Sequence, residues 1–380
     1  MKRVCFVLPD LSVIGAQRVA VDYGKELQKK GYSVTWLCGT KGGSFGQEVD
    51  DCVRFYESKI FAHIPVVRIF EQTYRLFRHL HDNSYDIVIT VSPFLNRVVC
   101  FAKALKFFKS RLVIEDHSYP PRSYKDEFNW VSRFFYRQTE FIYKQADAFR
   151  VLSEPTKLYY NARLKVDKPI VQQNFIDYSR LIGLSEKFEN VIPKSNIPRL
   201  VYIGRFTTQK NIPFLLNAFN VLLKKIESEF IIIGYGPEEK KIKQTVERLR
   251  LNGKVHFLKS SEENYAILRT ADLFPMASIW EGMPLTMIEA MALNVPVVST
   301  SFFCGPQFLL GANERGLILP EDELKLFAEG MEDVIVNIDQ TRFRTRAAQK
   351  FVQEQLDIKN CFRKYIEEFV EPSSAQEKGL

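Results

Sequence analysis

Short, continuous apolar runs alternate along the chain with longer stretches whose apolar positions have helical spacing. Residues 3–8 predict a buried strand, residues 18–30 predict a helix that ends at Gly31, and residues 33–38 predict the next strand. This order of strand, helix and strand begins a Rossmann-like unit. Further predicted strands are 85–91, 112–115, 199–203, 229–233, 255–258, 271–276 and 295–300. The pattern therefore predicts an α/β fold.

The length of 380 residues exceeds the size at which one hydrophobic core stops growing, so we expect two domains. The segment 178–198 has turn-forming residues and little periodicity, which predicts a linker. We place the N-terminal domain at 1–177 and the C-terminal domain at 199–365. The polar residues 371–380 predict a disordered tail.

Positive charge is concentrated in the first half of the chain. Residues 1–170 hold 27 basic and 18 acidic residues, a net charge of +9, whereas residues 171–380 hold 26 and 27, a net charge of −1. Such asymmetry indicates a surface that faces anions: nucleic acid, anionic lipid or a phosphorylated substrate. No nucleic-acid-binding motif accompanies it, so we expect no nucleic-acid partner.

The segment 101–112 combines lysines with phenylalanines. This mixture is typical of a contact with an anionic membrane, because aromatic rings enter the headgroup region while cations meet the lipid charge. A helix that packs its phenylalanines into the core and leaves its lysines in water would explain the segment equally well.

Several classes of protein are disfavoured. The six cysteines include no C-x-x-C pair, which argues against a zinc site or a disulfide framework. Pro9 and Asp10 interrupt the first apolar run before it reaches the length of a signal peptide, and no run approaches the ~20 residues of a membrane span. Gly15 is the only glycine in the first loop, so the G-x-G-x-x-G fingerprint of NAD enzymes is missing. We expect a cytoplasmic protein, peripheral at most on the inner face of the plasma membrane.

Two glutamates lie in one loop-and-helix segment near residue 285. Glu281 precedes the helix, Pro284 is suited to its first position, and Glu289 lies inside it. Eight residues of helix place the two carboxylates about 12 Å apart along the axis, whereas the paired carboxylates of glycosidases are roughly 5 to 9.5 Å apart. The two glutamates are therefore expected to hold opposite ends of one elongated ligand.

The groups between and beside these glutamates favour an anion. Backbone N–H groups of Gly282, Met283 and Leu285 lie at the helix N-terminus, where the helix dipole also attracts negative charge. Arg205 and Lys210 follow the strand 199–203 and could neutralise a departing diphosphate. A nucleoside diphosphate-sugar has this layout of sugar, diphosphate and ribose.

The segment E-G-x-P-x-x-x-x-E-A-M-A-x-x-x-P-V-V, residues 281–298, resembles the signature of the retaining family 4 glycosyltransferases of the GT-B fold. The resemblance spans nearly the whole chain and is strongest over 199–300. It implies two facing Rossmann-like domains with a cleft between them. It also implies a last helix, about 355–370, that packs back on the N-terminal domain.

The resemblance also implies roles for single residues. Arg205 and Lys210, in G-R-x-x-x-x-K, would stabilise the leaving diphosphate without a metal ion. His117, in E-D-H-S, would face the donor sugar. Glu289 would accept hydrogen bonds from the ribose hydroxyls, and Glu281 would hold the sugar hydroxyls or orient the acceptor.

Other positions correspond to the substrate-binding loops of the family. Gly15 lies in I-G-A-Q where the family usually has G-G-A-E, and a glycine that only lets the strand turn into the helix would explain it equally well. The remaining expected substrate-binding residues are Gly204, Gly234, Gly236, Leu258, Gly282, Met283, Pro284, Leu285 and Thr286.

The expected reaction is the retaining transfer of a hexose or N-acetylhexosamine from a UDP-sugar to a hydroxyl of a lipid-linked glycan acceptor, with no cofactor and no metal. This reaction belongs to the synthesis of surface polysaccharide, lipopolysaccharide or capsule. The basic first half suggests an anionic membrane as a further partner. Two alternatives remain open: an epimerase of UDP-N-acetylglucosamine with the same fold, and a non-catalytic module that binds nucleotide-sugars.

Overall fold

The computed structural model describes residues 1–11, 15–39, 49, 52–54, 65–119, 140–165, 168–188, 191–193 and 196–372. The chain forms two compact units. The first comprises Met1–Asn174 with Cys361–Leu380, and the second comprises Phe175–Asn360.

Seven parallel strands form the sheet of the first unit, in the order β3-β2-β1-β4-β5-β6-β7. Their bounds are β1 Arg3–Leu8, β2 Ser33–Cys38, β3 Cys52–Arg54, β4 Ile87–Thr90, β5 Arg111–Asp116, β6 Ala148–Val151 and β7 Pro169–Val171. The order reverses at β1 and β4, as in a doubly wound Rossmann fold. The described residues of β1 from Val4 onward are wholly buried, because helices cover both faces of such a sheet.

The second unit repeats this order on a smaller scale. Strands β8 Arg199–Ile203, β9 Glu229–Ile233 and β10 Val255–Leu258 form one parallel group, and β11 Phe274–Met276, β12 Val297–Thr300 and β13 Leu317–Leu319 form another. A parallel bridge between Leu200 and Leu273, with a 3.0 Å hydrogen bond from Val201 N to Leu273 O, connects the two groups through β8. The α/β class and the two Rossmann-like domains predicted from the sequence are confirmed.

Thirteen α-helices are present in the part of the chain that the structure describes. In the first unit they are α1 Gly15–Lys29, α2 Pro65–Asp82, α3 Pro93–Ala104 and α4 Glu154–Leu164. In the second they are α5 Tyr178–Lys187, α6 Ile212–Leu222, α7 Glu239–Arg248, α8 Asn264–Arg269, α9 Leu285–Ala292, α10 Pro306–Leu310, α11 Leu324–Val336 and α12 Ile338–Gln355. The last, α13 Ile358–Tyr365, begins in the second unit, ends in the first and leads into a π-helical turn at Ile366–Val370.

The segment expected to be a linker contains a regular helix. Helix α5 occupies 178–187, starts at the N-cap Asp177 and packs against α8 within the second unit. The Asp177 side chain accepts a 2.9 Å hydrogen bond from Arg180 N, which satisfies one of the free donors of the first turn. The boundary between the two units lies at Asn174, before this helix. Residues 373–380 of the expected tail lie outside the described residues.

The segment 101–112 is also not a single helix. It contains the end of α3, a turn with a left-handed Lys106, and the start of β5. Phe108 is buried, whereas Phe101 and Phe107 are exposed. Lys103 pairs with Asp147. No helix in the described residues has both the length and the apolar content that a membrane crossing requires.

Candidate functional site

The predicted substrate loops of the second unit all follow strands at one edge of the sheet. Residues 204–210 follow β8, residues 234–237 follow β9, and residues 277–284 follow β11. Because these strands are parallel, their carboxyl ends share one edge, which is where ligands bind in open α/β sheets. Leu258 is the last residue of β10 and is half-buried at the same edge.

Close packing of backbone at two glycines fixes the loop after β8. Gly204 N donates to Ile233 O at 3.0 Å, and Phe206 N donates to Tyr235 O at 2.8 Å. Gly234 has φ +150°, and a Cβ there would lie 2.0 Å from Gly204 O; a Cβ at Gly236 would lie 2.4 Å from Phe206 O. No side chain fits at either position, so the two loops require glycine for their contact.

An ion pair connects the loop after β8 with the loop after β11. Lys210 Nζ lies 2.5 Å from Glu281 Oε1, and both side chains are largely buried, at 16% and 10% exposure. Gln209 Nε2 donates to Trp280 O at 2.8 Å and lies 3.4 Å from Glu281 Oε2. Lys210 and Glu281, predicted to have separate roles on the ligand, are therefore paired with each other in this structure.

Arg205 differs from Lys210 in its surroundings. It is exposed, and its side chain makes no hydrogen bond or ion pair within the described residues. A guanidinium without a protein partner retains all five N–H donors for an anion. A protein carboxylate thus neutralises Lys210, whereas no described side chain neutralises Arg205.

Glu289 lies on α9, as its sequence position predicts. Its side chain is buried and accepts a 3.0 Å hydrogen bond from Tyr265 Oη. Pro284 is the N-cap residue of α9, one position before the expected one, and Asn294 ends the segment in a left-handed conformation with φ +60°. Gly282 and Met283 are buried, and Leu285 and Thr286 in the first turn are half-buried.

A buried phenol lies near the ion pair. Tyr202 on β8 is almost fully buried, and its hydroxyl has no hydrogen-bond partner among the described residues. Burial, and secondly the negative charge of Glu281, raise the pKa of Tyr202 well above its ordinary value. The hydroxyl therefore stays neutral at every physiological pH.

His117 lies in the first unit, directly after β5. Its Nε2 is 2.8 Å from Glu115 Oε2, and its side chain is 10% exposed. Glu115 also accepts from Arg150 Nη1 at 2.6 Å and from Tyr365 Oη at 2.7 Å. Burial alone would raise the pKa of Glu115, but the charge of Arg150 and the contact with His117 hold it at about 2.

Gly15 is the first residue of α1 and is half-buried. Two residues later the buried Gln17 places its Nε2 3.5 Å from Asp10 Oδ1. Ile14, the other departure from the family pattern, lies outside the described residues. The contacts of Gly15 thus leave both sequence interpretations of it open.

Four residues with clear structural links to the predicted site were absent from the sequence prediction: Gln209, Tyr265, Glu115 and Arg150. Gln209 and Glu115 are adjacent to or near predicted residues, but no spacing marks them as partners. Tyr265 precedes Glu289 by 24 residues, and Arg150 follows Glu115 by 35. Only the folded chain brings each pair together.

The edge of the second sheet combines exposed Arg205, the Lys210–Glu281 pair, a helix N-terminus and the buried carboxylate of Glu289. This set suits a ligand with a central diphosphate and hydroxyl groups at both ends. Two Rossmann-like units with such a site at the carboxyl edge of one sheet define the GT-B class of nucleotide-sugar-dependent proteins.

Comparisons with known families agree with this class. The family model "Glycosyltransferase Family 4" matches residues 13–180, and "Glycosyl transferases group 1" matches residues 185–350. Together the two models cover most of the chain. The chain belongs to the family 4 glycosyltransferases of the GT-B fold, and the predicted family is confirmed.

Individual proteins show more distant similarity. An uncharacterized glycosyltransferase of Methanocaldococcus jannaschii is 27% identical over 64% of this chain and 62% of its own length. The GalNAc-alpha-(1->4)-GalNAc-alpha-(1->3)-diNAcBac-PP-undecaprenol alpha-1,4-N-acetyl-D-galactosaminyltransferase of Campylobacter jejuni is 26% identical over 88% of this chain and 89% of its own. The structure of Anabaena HepE in complex with UDP and glucose has a TM-score of 0.81 at 16% identity, covering 97% of this chain and 99% of its own.

Proposed function

We propose that the protein transfers a hexose or N-acetylhexosamine from a UDP-sugar to a hydroxyl of a lipid-linked glycan, in the synthesis of a bacterial surface polysaccharide. The observation that carries this proposal is the ion pair of Lys210 and Glu281 just before α9, with the buried Glu289 inside that helix and Arg205 after β8 at the same edge of the sheet. Two relatives lend support: the Campylobacter enzyme is named for a diphosphate-undecaprenol acceptor, and the Anabaena protein binds UDP.

The proposed mechanism retains the anomeric configuration. The acceptor oxygen bonds to the anomeric carbon on the face where the bond to the diphosphate breaks, and the departing diphosphate oxygen takes the proton of the acceptor hydroxyl, so that no protein nucleophile is needed. Arg205 and Lys210 stabilise the charge that develops on the leaving diphosphate, and the first N–H groups of α9 assist. Fixed cations replace a metal ion in this role, and the proposal includes no cofactor.

The contacts of Glu281 are the basis for assigning it a more specific role. Its carboxylate holds the Lys210 ammonium at 2.5 Å, so its first task is to place that cation at the edge of the sheet. Glu281 Oε2 lies 3.4 Å from Gln209 Nε2, a long contact that a sugar or acceptor hydroxyl could replace. His117 is assigned a hydrogen bond to the donor sugar.

Product analysis tests the proposed function. The full chain is incubated with a panel of UDP- and GDP-sugars, with and without a diphosphate-lipid-linked glycan, in the presence of EDTA. We expect a retained glycosidic product only with donor and acceptor together, and unchanged rates with EDTA. Conversion of the donor alone would support the epimerase, and binding without turnover would support the non-catalytic module. A strict requirement for Mg²⁺ or Mn²⁺ would contradict the role of the cations.

Glu289 is predicted to bind the ribose. Replacing Glu289 by Gln keeps the size of the side chain and an acceptor for Tyr265 but removes the charge. Hydrogen bonds to a charged group contribute about 1.5–3 kcal/mol, so we expect the Kd for UDP to rise roughly 10- to 100-fold in titration calorimetry. Tyr265→Phe removes a donor to the same carboxylate and is the matched control, with a smaller effect. An unchanged Kd in the Glu289→Gln variant would remove this residue from the nucleotide site.

The proposed membrane contact lies at the end of α3. Phe101 and Leu105 are about half exposed, at 49% and 53%, and Lys106 and Lys109 nearby are exposed cations. Exposed apolar groups beside lysines match an anionic lipid surface in both polarity and charge. The buried Phe108 supports the alternative, core-packing interpretation for that residue alone.

Vesicle sedimentation checks this contact. Burial of one large apolar side chain contributes roughly 1.5–3 kcal/mol, so Phe101→Ser with Leu105→Ser is expected to lower binding to phosphatidylglycerol vesicles at least ~10-fold. High salt should weaken the binding of the wild type as well, because it screens the lysines. Phe343→Ser is the control, since Phe343 is an exposed aromatic in the other unit, at 73% exposure. Equal binding by all three proteins, or wild-type binding that persists in high salt, would contradict the proposal.

A further inference from the structure

The carboxylate of Glu115 at the end of β5 accepts from three donors in a buried cluster. Oε2 accepts from His117 Nε2 at 2.8 Å and from Arg150 Nη1 at 2.6 Å, and Oε1 accepts from Tyr365 Oη at 2.7 Å. Glu115, Arg150 and Tyr365 are each wholly buried. Of this cluster, the proposed function uses only His117 and gives no role to Glu115, Arg150 or Tyr365.

The partners of Glu115 are themselves held in place. Arg150 Nε donates to Gln172 O at 3.2 Å, and Arg150 Nη2 donates to Gln173 O at 2.8 Å. The ring of Tyr365 stacks on Tyr23 with centroids 3.8 Å apart. The guanidinium and the phenol are therefore fixed from several sides, which leaves the carboxylate between them one orientation.

The charge of Glu115 determines which proton the histidine carries. With its pKa held at about 2, Glu115 is a carboxylate at neutral pH and can only accept hydrogen bonds. His117 Nε2 must therefore carry a proton. His117 Nδ1 is buried and has no hydrogen-bond partner among the described residues. A proton on Nδ1 as well would leave a buried donor unpaired, at a cost of about 1–3 kcal/mol.

We propose that Glu115 is the positioning residue of His117: it holds the ring through Nε2–H and so presents Nδ1 as an acceptor for a hydroxyl of the donor sugar. A carboxylate on one ring nitrogen sets the tautomer, and the tautomer decides what the other nitrogen can bind. The C-terminal segment takes part in this arrangement, because Tyr365 binds the same carboxylate from 250 residues further along the chain. The inference rests on the proposed function for its ligand, a sugar hydroxyl.

Nitrogen NMR of the full chain with ¹⁵N-labelled histidine tests the tautomer without any activity measurement. The chain has five histidines, and a His117→Gln spectrum identifies the signal of His117 by its loss. We expect a proton on Nε2 and none on Nδ1. A ring that carries a proton on Nδ1 would overturn the proposal. The spectrum reports the tautomer of His117 without any substrate. A wrong tautomer therefore contradicts this inference alone, and a missing transferase activity contradicts the proposed function alone.

A pair of substitutions tests the positioning role. Glu115→Leu alone would leave the buried Arg150 without a counter-charge, so Glu115→Leu is combined with Arg150→Leu, which removes both charges together. We expect this double variant to show a mixture of the two neutral tautomers of His117. Its kcat should fall roughly 10²-fold, less than the ~10⁴-fold seen when a carboxylate orients a histidine that itself transfers the proton. A fixed Nε2–H tautomer together with wild-type kcat would overturn the role of Glu115.

Tyr365→Phe is the matched control. It keeps the ring that stacks on Tyr23 and removes a donor to Glu115 that does not touch His117. We expect the midpoint of thermal unfolding to fall, because a buried carboxylate oxygen loses its partner, while the tautomer stays unchanged. A change of tautomer in this variant would mean that general loosening of the cluster, and not Glu115 itself, sets the ring, and would contradict the proposal.

Discussion

Replacing Arg205 by Ala is expected to lower kcat/KM by roughly 10²-fold or more without changing the stability of the protein. The Arg205 side chain is exposed and makes no hydrogen bond or ion pair within the described residues, so its loss removes no contact that holds the fold together. A preorganised charge that acts on a developing anion contributes about 2.7–4 kcal/mol to the transition state. Steady-state kinetics and thermal unfolding of the same preparation measure the two effects.

The control for Arg205 is Arg248→Ala. Arg248 is likewise exposed and lies in the same unit on α7, and its side chain makes no hydrogen bond or ion pair in the described part of the chain. Both variants should unfold within about 0.5 kcal/mol of the wild type, as surface substitutions usually do. Near-normal turnover in Arg205→Ala, or an equal loss in Arg248→Ala, would show that Arg205 does not act on the diphosphate.

Replacing Lys210 by Met is expected to lower both turnover and stability. Lys210 also faces the leaving diphosphate in the proposed mechanism, so kcat should fall by roughly 10²-fold or more. In addition, the Glu281 carboxylate would remain at 10% exposure without its cation. Breaking one partner of a buried ion pair costs about 3–5 kcal/mol, and because this pair is partly exposed we expect a loss of about 2 kcal/mol.

Adding Glu281→Gln to the Lys210→Met variant separates these two effects. The neutral amide removes the buried charge, so most of the lost stability should return, whereas turnover should stay low because the cation is still missing. Chemical denaturation and single-turnover kinetics are measured for the wild type, Lys210→Met, Glu281→Gln and the double variant. These four proteins form a double-mutant cycle. Recovery of turnover in the double variant would contradict a direct role of Lys210 on the diphosphate.

The strands were predictable because their signal is local. Strands β1, β2, β8, β9 and β10 have the bounds read from the sequence, since a strand of a covered parallel sheet is a short, mostly apolar run with polar or turn residues next to it. Helix α9 and the left-handed Asn294 were predictable for a similar reason. Helix α5 was not predicted from the sequence, because its apolar positions are few and it depends on packing against α8.

The candidate site was predictable as a set of residue types but not as a set of contacts. Motifs placed Arg205, Lys210, Glu281 and Glu289 near one edge of a sheet. They did not show that Lys210 and Glu281, 71 positions apart, form an ion pair while the Arg205 side chain has no partner among the described residues. The sequence also did not show which side chains of one segment are buried. Phe107 and Phe108 are adjacent, but only Phe108 is buried.

By itself the sequence determined the α/β class, the two Rossmann-like domains, the family and the strand ends that carry the candidate ligand-binding residues. The α/β class and the strand ends follow from periodicity, the two domains from the length, and the family from the resemblance of motifs that each span a few tens of residues or fewer. Only the tertiary structure decided which charges neutralise one another and which side chain orients His117. Those contacts join residues from distant parts of the chain, and burial, which sets the strength of an ion pair and the charge of Glu115, exists only once both units have folded.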